Sequence, residues 1–213
     1  RALEAGAVPW TPEARDVTTP GGEDFAIIGH GFAHSAGDAA FANAVAGHGL
    51  VREDMHAGSI AHLGVVVWPA LIAHAGRQTM SGTQFLCGSI AGYEVGACLG
   101  RALMTADLAR LYRPTGIVGA PAAVMAMANA TALEPAEAVD AFSLAVNAVA
   151  GLNQWPHTGG SEMYFHPGFA ARNAVLAFDL ARAGALASST ILEGEAGLFA
   201  AYARRTLDEP IVL

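Results

Sequence analysis

Thr115–Leu133, TGIVGAPAAVMAMANATAL, is nineteen consecutive residues without a charge, and how it is read decides the fold. Its length nearly reaches the ~20 residues of a membrane-spanning helix. Its content does not suit lipid: it is rich in Ala, with Gly116, Gly119, Pro121 and Asn129, and few Leu, Ile or Phe. Small side chains of this kind suit a helix buried among other helices. Two further uncharged stretches, Met55–Gly76 and Ala141–Ser161, point the same way. Several helices surrounded by protein fit the pattern better than one membrane anchor.

Working outward, Arg113-Pro114 opens this helix, with Pro in the first turn where its missing N–H is not needed. Glu134-Pro135-Ala136-Glu137 opens the next, with acids at the positive end, and it runs to about Ala150. Upstream, Ser81-Gly82-Thr83-Gln84 caps a long helix to about Leu103, in which Phe85, Ile90, Tyr93, Val95 and Leu99 recur at mixed three and four spacing. Asp38 can cap a helix to about Leu50, and His62 begins an apolar one to about Ala75. His166–Ala183 and Glu195–Arg205 read as the last two helices. The class expected is all-α, a multi-helix bundle or orthogonal array. Gly151–Phe165 is the one long irregular connection expected, and such loops tend to face ligands.

Composition narrows the chemistry. The 213 residues carry 11 positive side chains, all Arg, and no lysine, which excludes a Schiff-base enzyme, a pyridoxal-phosphate lysine and a P-loop. Hydrophobic residues make up 53% and charged residues 14%, with 25 Gly and 47 Ala, so closely packed helices are expected rather than disorder. A net charge of −8 without a basic run speaks against nucleic acid as a partner. Cys87 and Cys98 lack metal-ligand spacing and read as free thiols, so the expected location is cytoplasmic. No signal peptide or membrane segment is expected, and the Arg1 start suggests an excerpt of a longer chain.

Eight histidines are unevenly placed, densest in His48-Gly-Leu-Val-Arg52-Glu53-Asp54-Met-His56, with His62 six residues on. Without a His pair at ligand spacing and a clear third ligand, no metal is expected. Acid–base chemistry is the reading, because imidazole exchanges protons near neutral pH. His62 and Arg113 each precede a helix whose unpaired N–H groups suit a carboxylate, and Arg113 adds a bidentate donor fork.

Asn43 through His48, Glu53-Asp54-Met55-His56, His62-x-Gly64 and Val67-x-Pro69-Ala70-Leu71 together resemble the MmgE/PrpD family. Matches continue in order with Ala91-Gly-Tyr-Glu-Val95, Gly100-Arg-Ala102, Arg113-Pro-Thr-Gly116, Gly160–Ala171 and Leu192-Glu-Gly-Glu195. Departures from the family pattern are Val51 for its first motif Asp, Met55 for Thr, Leu63 for Pro, Arg113 for His and Met163 for Lys. Residues 1–35, rich in Pro, Gly, Thr and acids, read as an irregular loop segment with Phe25–Ile28 as a possible short strand. The resemblance implies a helical domain over 36–205 and a tail over 206–213 leading toward an α+β domain. It implies a homodimer and a lyase or isomerase that needs no cofactor. Members dehydrate, decarboxylate or epimerise small di- or tricarboxylates.

Carried over residue by residue, His62 or His56 exchanges a proton next to a carboxylate, with Glu53 or Asp54 orienting the imidazole. Arg113 and Thr115 bind the substrate, with Glu162, Tyr164 and His166 as further polar groups. The competing expectation is a helical ligand-binding or dimerisation domain without catalysis.

Overall fold

The computed structural model describes residues 8–212. Its elements in order are α1 (Trp10–Asp16), β1 (Pro20–Ile27), β2 (Gly31–Ala33), α2 (Ala36–His48), α3 (Gly64–Ala75) and α4 (Gly82–Leu103). There follow α5 (Ala106–Leu111), α6 (Pro114–Ala130), α7 (Pro135–Asn147), α8 (Trp155–Thr158) and α9 (Glu162–Arg182), with a π-helical turn at Phe199–Ala203. Most of the chain is helical, as its uncharged, Ala-rich stretches predict, and the two strands form one small antiparallel hairpin. Among the described residues no helix is long and apolar enough to cross a membrane.

The uncharged stretch becomes α6, buried along nearly its whole length and packed against α3, α4, α7 and α9. The α4 contact is made through its glycines. Ile90 is 63% exposed and Leu86 62%, whereas Gly88, Gly92, Gly96 and Gly100 form the buried stripe. A Cβ on Gly92 would lie 2.8 Å from both the Ala122 carbonyl oxygen and the Ala126 Cβ. On Gly88 it would lie 2.6 Å from the Ala126 carbonyl oxygen. The two backbones therefore touch, and Leu86 and Ile90 are turned outward while Leu99 and Leu103 stay buried.

Residues 8–35 are more ordered than a loop reading allows, while residues 1–7 lie outside the described residues. α1 buries Ala14 against Phe41 and Val45, and β1 pairs Phe25 with Ala33 and Ile27 with Gly31. Asn43 fastens this hairpin to α2, accepting from the Ile28 N–H at 2.9 Å and donating to the Ala26 carbonyl at 2.8 Å. Other boundaries shift locally. Ser35 rather than Asp38 caps α2, its Oγ accepting from the Asp38 N–H at 3.1 Å.

The Gly151–Phe165 connection contains α8, and α9 starts four residues before His166. Glu195–Arg205 forms only the π-helical turn, because Gly194 and Gly197 break the preceding backbone into turns. Thr206–Val212 has no regular element, and Leu207 and Ile211 rest on the core.

Candidate active site at Glu53

Four elements meet around one carboxylate. α2 ends at His48, and the chain turns back through Val51, whose φ of 50° lies in the left-handed region. This reversal returns Glu53 to His48. Glu53 Oε1 accepts from His48 Nδ1 at very short range, and His62 Nδ1 lies 3.1 Å from the same oxygen. His62 is fixed from both sides: its backbone N–H donates to Thr115 Oγ1 on α6 at 3.0 Å, and its Nδ1 faces the Asp54 carbonyl at 3.1 Å. Asp54 in turn accepts from the Gly64 N–H at 3.3 Å, at the start of α3, and from the Tyr93 hydroxyl.

These contacts fix the tautomers. A carbonyl and a carboxylate only accept, so His62 Nδ1 carries the hydrogen and Nε2 holds the lone pair of the neutral ring. His48 is assigned likewise, and Arg113 Nη2 donates to its Nε2 at 3.3 Å. His48 is thus occupied at both nitrogens, while the Nε2 of His62 is left for proton exchange.

Burial pushes the Glu53 carboxyl up, but hydrogen bonds from His48 and His62 outweigh it and hold the group well below the usual carboxylate range. Burial lowers His48, with Arg113 and His62 adding to the effect and Glu53 opposing it. His166, buried on α9, is pulled down to about 4, first by burial and then by the Arg113 charge, so it is neutral at neutral pH. Burial also lowers Arg113, against the attraction of Glu53.

Three polar atoms of this cluster are buried without a hydrogen-bond partner among the described residues: Glu53 Oε2, Arg113 Nε and His166 Nδ1. Arg113 and His166 both border Gly151, whose carbonyl accepts from the Arg113 N–H at 3.0 Å. A cavity of about 350 Å³ opens beside them, lined by Gly151, His166 and Glu162. Tyr164 stacks face to face on Trp10 at 3.6 Å, with its ring 6.3 Å from that of His48.

The structure therefore brings together Glu53, Asp54, His62, Arg113, Thr115 and His166, with Glu162 and Tyr164 at the margin. His56 is engaged elsewhere. Its Nδ1 bonds Ser59 Oγ at 2.9 Å and accepts from the Ser59 N–H at 3.2 Å, closing the turn that pairs His56 with Ala61. His48 is the residue that sequence reasoning passed over. Its signal was its place in the dense acid–histidine run, but a histidine ending an apolar helix also reads as core. His48, Glu53 and His62 offer ligand atoms within 4.8 Å of one another, a grouping that linear spacing hides. A cation there would take the Nδ1 lone pairs and move each ring hydrogen to Nε2, where His48 already meets the Arg113 guanidinium, so the donor set fits protons better than a divalent metal.

A model of the MmgE/PrpD N-terminal domain matches residues 2–209. The chain belongs to the MmgE/PrpD family. A cis-aconitate decarboxylase of Aspergillus terreus is 30% identical over 202 residues, covering 90% of this chain and 41% of that protein. A cis-aconitate decarboxylase-like protein of Aspergillus oryzae is 29% identical over 208 residues, covering 92% of this chain and 43% of that protein. This MmgE/PrpD chain thus spans about two fifths of the length of the curated relatives it matches.

Proposed function

We propose that the protein is a lyase or isomerase acting on a small di- or tricarboxylate by proton exchange at the carbon next to a carboxylate. One observation carries this reading: the unpartnered Arg113 Nε and His166 Nδ1 lie beside two imidazoles that share Glu53. A buried polar group left unmade costs about 1–3 kcal/mol, which a bound carboxylate would relieve at both donors. Arg113 binds that carboxylate, and neutral His166 donates to it. His62 Nε2 takes the proton from the adjacent carbon, or delivers one, while Glu53 stabilises the imidazolium that forms. Thr115 and Asp54 fix the backbone on either side of His62, and Glu162 and Tyr164 supply polar groups at the rim.

Removal of such a proton begins a dehydration or an epimerisation, and delivery of one to that carbon completes a decarboxylation. The names of the fungal relatives favour the last.

The same reading takes the protein as a cytoplasmic homodimer. Free Cys87 and Cys98 support a reducing compartment, and exposed Phe169, Leu176 and Leu180 on α9 support a self-association face.

Thermal-shift titration of the full natural protein against cis-aconitate, citrate and succinate tests the binding half of the proposal. A rise in melting temperature that follows ligand concentration is expected, and it is lost in Arg113→Gln and His166→Phe. Equal shifts in wild type and both variants would overturn the assignment.

A further inference from the structure

The backbone of Arg113 is fixed at the start of α6, where its N–H donates to the Gly151 carbonyl. Its guanidinium is held differently. The hydrogen bond that it makes among the described residues runs to His48 Nε2 at 3.3 Å, and its buried Nε–H has no partner. A guanidinium only donates, so His48 can hold it only with a bare Nε2. Glu53 provides for that state, because its carboxylate keeps the ring hydrogen of His48 on Nδ1. His48 is 0% exposed, and its ring packs edge-on against that of His62 at 5.1 Å. Turned over, the ring would present carbon to both Glu53 and Arg113 and lose both bonds.

The choice of a neutral acceptor has a consequence for binding. An arginine side chain has many rotamers, and a ligand that binds a loose one must first order it. A carboxylate of the protein would order the guanidinium but would also neutralise the charge that an anionic ligand needs. A neutral imidazole orders it and leaves the charge in place.

We propose, resting on the reading of Arg113 as the carboxylate anchor, that His48 is a positioning residue that aims the Arg113 guanidinium at the substrate carboxylate. Glu53 then has two arms. Through His62 it orients the base, and through His48 it orients the anchor.

The test is calorimetric titration of the full natural protein with succinate and cis-aconitate. His48→Phe keeps a ring without polar atoms and is expected to weaken binding by about 3- to 10-fold, the cost of ordering one long side chain on binding. His48→Gln, whose amide can donate to Glu53 and accept from Arg113, is expected to keep most of the affinity. In an Arg113→Gln background, His48→Phe is expected to change nothing further. Wild-type affinity in His48→Phe, an equal loss in His48→Gln, or a further loss beyond that of Arg113→Gln overturns the positioning role. Arg113 then remains the anchor if Arg113→Gln alone weakens binding. Wild-type affinity in Arg113→Gln, or no binding of either acid to the wild type, overturns the active-site reading and this proposal with it. Nitrogen NMR of the wild type adds a check that needs no variant to fold. His48 is expected as the Nδ1–H tautomer, and a hydrogen on Nε2 overturns the proposal.

Discussion

Glu53 holds two imidazoles with a single oxygen, and each of those imidazoles touches a different part of the fold: His48 reaches Arg113, and His62 is tied to Thr115. Removing the charge while keeping the shape separates orientation from packing. Glu53→Gln is expected to lower the rate of proton exchange by about 10- to 100-fold with a much smaller change in KM, as for other groups that orient an imidazole through its second nitrogen. His166 offers an independent check. Its ring signals in NMR are expected to titrate with a midpoint of about 4, and a midpoint near 6.5 would mean that burial and Arg113 do not act on it as described. At this scale the sequence was informative. Glu53, Asp54, His62, Arg113, Thr115 and His166 all lie in motifs that could be aligned, and all converge. What could not be read was which of His56 and His62 meets Glu53, because that depends on a turn closed by Ser59, and a histidine at the end of α2 looks the same whether it is core or site.

At the scale of elements, α4 shows what a period-based reading misses. The recurrence of large apolar residues placed the helix, and Leu99 is buried with Phe85 and Tyr93 packed on the core, but it gave no sign of the glycine stripe that meets the α6 backbone. Two glycine substitutions separate the effects. Replacing Gly by Ala gains up to about 1 kcal/mol of helix propensity. At Gly92 the new methyl meets α6 at 2.8 Å and forces a shift costing about 1–3 kcal/mol, so Gly92→Ala is expected to be net destabilising in chemical denaturation. Gly82→Ala, with open space around it, is expected to be neutral or stabilising. Val51 is the other telling position. A β-branched residue in the left-handed region costs roughly 1–2 kcal/mol, and the turn it makes is the one that returns Glu53 to His48. Val51→Asn is expected to stabilise the fold by about 1 kcal/mol.

Across the whole molecule, three buried histidines govern the response to acid. His48, His74 and His166 are all lowered, chiefly by burial, so below about pH 6.5 the unfolded chain binds more protons than the folded one. Stability is therefore complete above that pH and is lost as pH falls, with His166 alone removing up to about 3 kcal/mol by pH 4. The Glu53 carboxylate, also lowered, loses its share only further down, in the same direction. A melting temperature lower by about 6–12 °C at pH 4 than at pH 7 is expected, and an unchanged one would show that these rings are not buried neutral. The helical class and the central place of the uncharged helix were legible in the sequence because they depend on composition. The ordered α1 and the pairing of the Phe25–Ile28 strand into a hairpin were not, because Ala14 packs on Phe41 and Val45 of α2 and the hairpin is fastened by Asn43 of α2. The central claim, that His62 oriented by Glu53 exchanges a proton next to a carboxylate held by Arg113, is tested most directly by deuterium incorporation. The full natural protein is incubated in deuterium oxide with cis-aconitate, citrate or succinate, and the carbon next to the carboxylate is followed by proton NMR. Enzyme-dependent exchange is expected in wild type and in His56→Gln, with at least a hundredfold loss in His62→Gln. Exchange in His62→Gln at the wild-type rate, or none in the wild type with any of the three acids, would contradict it.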